Sequence, residues 1–283
     1  VIRLDGATVL LQWAVGGLFF LWITTRRREV GIGYGWLVRG TYAVMAVGSV
    51  AVSTVTGTVP VREAATVAMI VATVIAFVVS VQRRAAGVRG QRGDEERRSA
   101  RVAAMTGIER DAPELDRTGA EFPPILDLIP ALLGLVGLVA AGVDAGSPVA
   151  LSIARTLVGA AFLGCVSDSM LLGHWYLVQP GLARGPILEL VRWNAVLWPF
   201  ELGVMLWPTG MVSVLNGTID DGYNGIFGWF WIACSITTIG LVVLTRAALK
   251  ERQYSAVMAA TGLLYLAILT AFGMDLVARA VLA

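Results

Sequence analysis

Histidine, lysine and cysteine are almost missing from these 283 residues, and each scarcity closes a class of function. With His174 as the one histidine, a single copy of the chain cannot supply the two axial histidines of a b-type haem site, nor a histidine cluster for zinc or copper. No metal site is expected. Cys165 and Cys234 both fall inside apolar runs, which argues against a disulfide framework and for buried free thiols. Lys250 is the one lysine, so nearly all positive charge is arginine, a bias that reads as codon usage in a GC-rich bacterial genome. Charge itself is scarce at 15% of residues, against about a quarter in soluble domains. A net charge of +2 is too small to point to nucleic acid.

What fills the chain instead is apolar: 57% of residues are hydrophobic, gathered in runs too long and too many for one soluble core. Each membrane span needs roughly 20 such residues. The runs fall at 8–23, 35–55, 64–81, 125–143, 149–176, 187–206, 223–244 and 255–276. The fold class this predicts is all-α: a polytopic transmembrane helix bundle of about eight spans, surrounded by the lipid bilayer. Residues 1–81 carry spans 1–3, residues 82–124 form a charged loop, and residues 125–283 carry spans 4–8. Val1 to Ala7 holds no basic cluster and no small-residue cleavage pattern follows, so the first run reads as a retained span.

Arginine is unevenly spread. Arg26 to Arg28, the arginines of the 82–124 loop, Arg184, and the cluster of Arg246, Lys250 and Arg252 all fall on one side of the expected membrane. Arg62 stands nearly alone on the other, with Asp144, Asp220 and Asp221. The positive-inside rule then puts both termini outside and the long loop in the cytoplasm of a bacterial cell (inner) membrane. In that loop arginine alternates with acid almost one for one, which suits a solvated linker with a short helix near 95–106, or else a docking segment for a partner or anionic lipid.

Ionisable side chains at membrane depth are costly and so mark candidate sites. Span 6 is richest. Glu189 and Arg192 lie three apart and are expected to pair. Asn194 and Glu201 lie seven apart on one face, with Pro199 between them freeing the carbonyl of Ala195 and expected to kink the helix. Span 5 ends in Asp168, His174, Trp175, Tyr176 and Gln179, a group suited to hydrogen-bonding a quinone carbonyl and exchanging protons, or else to an aromatic belt at the headgroups. Arg155, deep in span 5, needs a carboxylate or carbonyl partner, and Asp275 is a candidate for it.

The segment Gly31-Ile32-Gly33-Tyr34-Gly35 lacks the strand and final glycine of a dinucleotide loop and reads as a tight turn. Gly134, Gly137 and Gly159 suit close helix packing. Three functions fit these residues. The leading one is a membrane subunit or accessory of a bacterial electron-transfer (respiratory-type) complex, without a metal of its own, handling quinone or protons through Asp168, His174, Tyr176, Gln179, Arg192 and Glu201, with other membrane or redox subunits as partners. The second is a small-solute or ion transporter using Arg155, Asn194 and Glu201. The third is a membrane scaffold without chemistry. No motif marks a stand-alone enzyme.

Overall fold

The structure, a computed structural model, describes residues 5–88, 119–179, 182–208, 210–251 and 253–283. Among these residues it is helical throughout, with no strand. Eight long helices follow one another: α1 (Gly6–Thr25), α2 (Ile32–Thr56), α3 (Pro60–Gln82), α4 (Ile125–Asp144), α5 (Val149–Val178), α6 (Gly185–Leu206), α7 (Ile226–Ala248) and α8 (Tyr254–Val281). Each expected span is therefore a helix. A 3-10 turn at Arg84–Ala86 follows α3, and a five-residue helix at Met211–Leu215, not foreseen from the sequence, follows α6. The short helix expected at 95–106 lies outside the described residues.

Seven of the eight are long and apolar enough to cross a membrane. The exception is α6, which has the length but carries Glu189, Arg192 and Glu201 in one helix. It nevertheless packs in the bundle, burying Leu190, Val191, Asn194, Glu201 and Met205. Pro199 does not interrupt it: the helix runs unbroken through that position.

The ends of the helices follow from local chemistry. The Asp5 carboxylate caps α1 by accepting from the backbone N–H groups of Ala7 and Thr8 at 3.1 and 3.3 Å. Pro60 and Pro186 stand in the first turns of α3 and α6, where a missing N–H costs nothing. The turn after α1 is made by residues 26–31, with Arg28 at φ 55°. Gly33 and Gly35, expected in that turn, lie instead within α2, where an added Cβ would meet the Trp175 ring and the Arg39 guanidinium. Their role is close approach.

Helix α1 is the central one. In its most apolar stretch 61% of residues are buried, against 28% in α3, which is peripheral. It packs on α2, α4 and α5, and α5 in turn packs on α4, α6 and α8. The α1–α5 crossing is backbone on backbone: a Cβ at Gly16 would stand 1.8 Å from the Ala160 carbonyl oxygen, and one at Gly164 2.1 Å from the Gly16 carbonyl carbon. Only glycine allows that approach. Outward, Val44, Val71, Val136, Ile236 and Leu269 are among many exposed aliphatic side chains, an apolar surface that suits contact with lipid. Cys165 and Cys234 are buried free thiols. Below, the end of the bundle where α1 finishes is called the loop end and the opposite one the far end.

Candidate functional site

Polar side chains are buried at three levels along the bundle. Nearest the far end, α8 presents Asp275 and Arg279 one turn apart, so one helix supplies both members of an ion pair. Arg279 Nε donates to both oxygens of Asp275, at 2.9 and 2.8 Å, and its Nη2 donates to the Arg155 carbonyl at 2.9 Å. Gly159 of α5 makes room for the pair: a Cβ there would lie 2.4 Å from Arg279 Nη2 and 2.8 Å from Asp275 Oδ1. Gln12 closes the group from α1, its Nε2 donating to the Thr156 carbonyl at 2.7 Å while its Oε1 is buried with no hydrogen-bond partner.

Arg155 meets the expectation of a carbonyl partner, since its Nε donates to Val204 O near the end of α6 at 2.7 Å. The expected pairing with Asp275 is replaced: Asp275 is taken by Arg279, one turn away on its own helix, which needs no approach between helices. Into this group α6 projects Glu201, wholly buried, with no N–H or hydroxyl donor on either carboxylate oxygen. The charged groups acting on it are Asp275, Arg279 and Arg155. The Glu201 carboxyl lies within hydrogen-bonding reach of the Asp275 carboxylate, so a proton on Glu201 can be shared between the two acids.

At mid-bundle three consecutive residues of α5 reach three different helices. Trp13 Nε1 of α1 donates to Ser167 Oγ at 2.7 Å, the Tyr42 hydroxyl of α2 donates to Asp168 Oδ1 at 2.5 Å, and Asn194 Nδ2 of α6 donates to Ser169 Oγ at 2.7 Å. Asp168 Oδ2 and Asn194 Oδ1 are buried without partners.

Toward the loop end the expected cluster does not assemble. Asp168 is buried against Tyr42, whereas His174 is exposed and its Nδ1 meets the Tyr265 hydroxyl of α8 at 3.1 Å. Tyr176 is buried and donates to the Ala183 carbonyl, and Gln179 accepts from Trp175 Nε1 at 3.2 Å. Arg192 is exposed. Its expected partner Glu189 binds Arg26 at 2.5 Å and Arg27 at 3.1 Å, because the turn after α1 comes over the start of α6. Of the transport candidates, Arg155 and Glu201 share the far-end group, while Asn194 lies two turns deeper.

Sequence reading passed over Gln12, Arg39, Tyr42 and Arg279. For Arg279 the signal was present in the i,i+4 spacing from Asp275, and for Gln12 in an amide interrupting an apolar run. Arg39 forms a fork with Asp127, Nε to Oδ1 at 2.7 Å and Nη2 to Oδ2 at 3.0 Å, with Thr25 donating to Oδ2 at 2.8 Å. The Arg39 guanidinium also lies 4.4 Å from the Phe122 ring centre. These contacts hold α1, α2 and α4 together.

Outside the spans two carboxylates organise far-end turns. Asp5, partly desolvated, is held below its ordinary pKa by hydrogen bonds from Thr8 and Thr56 and by the Arg62 guanidinium. Beside it, Thr8, Gly57, Arg62 and Asp144 line a cavity of about 90 Å³. Asp221 is likewise held low, against slight desolvation, by backbone N–H groups of Gly225, Tyr223 and Phe227. Comparison with protein-family models, with curated proteins and with solved structures returned no match.

Proposed function

We propose that this chain is a membrane transport protein that moves protons, alone or with a small solute, through its helix bundle, with Glu201 as the exchanging group and Arg155 beside it. One observation carries this reading. Glu201 is wholly buried, receives no hydrogen bond from an N–H or hydroxyl donor, and stands against the Asp275 carboxyl with Arg279 and Arg155 beside it. A carboxylate kept for structure would be expected to be hydrogen-bonded, as Asp127 is. One that receives no such donor and lies against a second carboxylate is poised to gain and lose a proton, since two adjacent carboxyl groups are best held with one proton between them. The arginine distribution favours an orientation with the 82–124 loop on the cytoplasmic side.

The test is proton flux into vesicles holding the purified protein and a trapped pH-sensitive dye. Wild-type protein should dissipate an imposed pH gradient, and Glu201→Gln, which keeps the shape and removes the exchangeable proton, should slow it by about a hundredfold or more. Equal rates would overturn the assignment.

A second reading, a quinone-handling subunit of an electron-transfer complex, is favoured by a different observation. His174 is exposed on the side of α5 and hydrogen-bonded to Tyr265, where a quinone headgroup arriving through the bilayer would meet both. Co-purification of haem or iron–sulfur subunits in mild detergent, with quinone-linked activity lost on His174→Ala, would favour it over transport. A chain that purifies alone would not.

A further inference from the structure

Among the described residues Asp168 is the one acidic side chain buried at mid-bundle, and its surroundings differ from those of every other buried acid described above. From α2 it faces Tyr42, whose hydroxyl donates to Oδ1 at 2.5 Å, and Tyr34, whose hydroxyl reaches the Asp168 carbonyl at 3.4 Å. On α5 itself the nearby titratable group is Cys165, whose thiol donates to the Leu190 carbonyl at 3.4 Å. The neighbouring residues Ser167 and Ser169 bind Trp13 of α1 and Asn194 of α6, neither of which titrates. Among the described residues no arginine or lysine forms a salt bridge with it. Asp127 and Asp275 each have an arginine; the Asp168 carboxyl has the Tyr42 phenol.

A carboxylate buried at membrane depth without a counter-ion is disfavoured, while the neutral acid is tolerated. Because Tyr42 already donates to Oδ1, the proton of a neutral Asp168 belongs on Oδ2, the oxygen with no partner. A second unpartnered buried oxygen, Asn194 Oδ1, stands on the residue that Ser169 binds. Seven residues further along the same face of α6 is Glu201, a rise of about 10 Å. Asp168 and Asn194 thus stand at one level of the bundle, on the α2 and α6 sides of α5, and Glu201 lies about two turns nearer the far end.

We propose that Asp168 is a second proton station, kept as the neutral acid, which passes its proton past Ser169 and Asn194 to Glu201. This rests on the reading of Glu201 as the exchanging group. In the step, the O–H bond on Asp168 Oδ2 breaks and one forms on the Glu201 carboxylate; water carries the proton across the intervening gap and no electron moves. Tyr42 is a positioning residue, holding Oδ1 so that Oδ2 keeps the proton.

Two measurements on the full chain in lipid vesicles test this. In Glu201→Gln protein at neutral pH, infrared spectroscopy should find a protonated-carboxyl stretch that shifts in D₂O, disappears on adding Asp168→Asn, and moves in frequency with Tyr42→Phe. A spectrum of Glu201→Gln protein without such a band overturns the proposal. In otherwise wild-type protein, Asp168→Asn should slow proton flux by about a hundredfold. Flux lost with Glu201→Gln but unchanged with Asp168→Asn overturns the relay alone, whereas wild-type protein without flux overturns the reading of Glu201 and the relay with it. If Asp168→Asn does not fold, Tyr42→Phe, which removes one hydroxyl, serves instead: an unmoved band overturns the proposal.

Discussion

At the scale of single residues, burial decides what each charge contributes. Arg39 and Asp127 have side chains 2% and 1% exposed, while Arg26 and Arg27 are 36% and 47% exposed where they share Glu189. Removing one partner of a buried pair strands the other charge, a loss of about 3–5 kcal/mol, whereas an exposed pair is worth about 1 kcal/mol or less. Asp127→Ala should therefore lower the thermal unfolding midpoint in detergent sharply and Glu189→Ala hardly at all. Equal effects would mean that the Arg39 fork is not what ties α1, α2 and α4. Depth in an apolar run was enough to mark Glu201, Asp168 and Arg155 from sequence, because the cost of burying a charge does not depend on the fold. Their partners were harder to read. Arg279 was within reach as a one-turn neighbour of Asp275, but the Val204 carbonyl that takes Arg155 is offered by another helix, and no spacing within α5 announces it.

At the scale of helices, the close crossing of α1 and α5 sets the bundle. The Cβ that Gly16→Ala would add stands 1.8 Å from the Ala160 carbonyl, so the two backbones must separate, at a cost of about 1–3 kcal/mol or more. Gly240 in α7 has nothing within 4 Å of the same position. There alanine should be neutral or stabilising by up to about 1 kcal/mol, since glycine is the weaker helix former. Unfolding midpoints of the two variants check this, and a Gly16→Ala protein as stable as wild type would show that α1 and α5 are not locked by contact. The eight helices were legible to within a few residues because each needs an uninterrupted apolar run ended by arginine, proline or glycine. The helix at Met211–Leu215 was not, since five residues are too few for a period to register.

At the scale of the molecule, arginine asymmetry predicts the orientation. A cysteine at Thr218, in the turn between α6 and α7, should react with a membrane-impermeant maleimide on intact cells, and one at Arg84 only after lysis. The reverse pattern would invert the bundle. The native thiols do not interfere, being buried.

What the sequence determined by itself is the class and the spacing of the helices: 57% hydrophobic residues in long runs leave the backbone no economical state in lipid other than the helix, whatever the neighbours are. It also determined which polar side chains are costly. Only the tertiary structure decided which of them meet. It parted His174 from Asp168, turned Glu189 toward Arg26 and Arg27, and gathered Gln12, Arg155, Glu201, Asp275 and Arg279 from four helices. Those outcomes depend on how each helix is rotated about its axis, and rotation is set by the packing of small residues such as Gly16, Gly159 and Gly164 against distant parts of the chain. Helices apolar on nearly every side carry little periodic signal of which face turns inward.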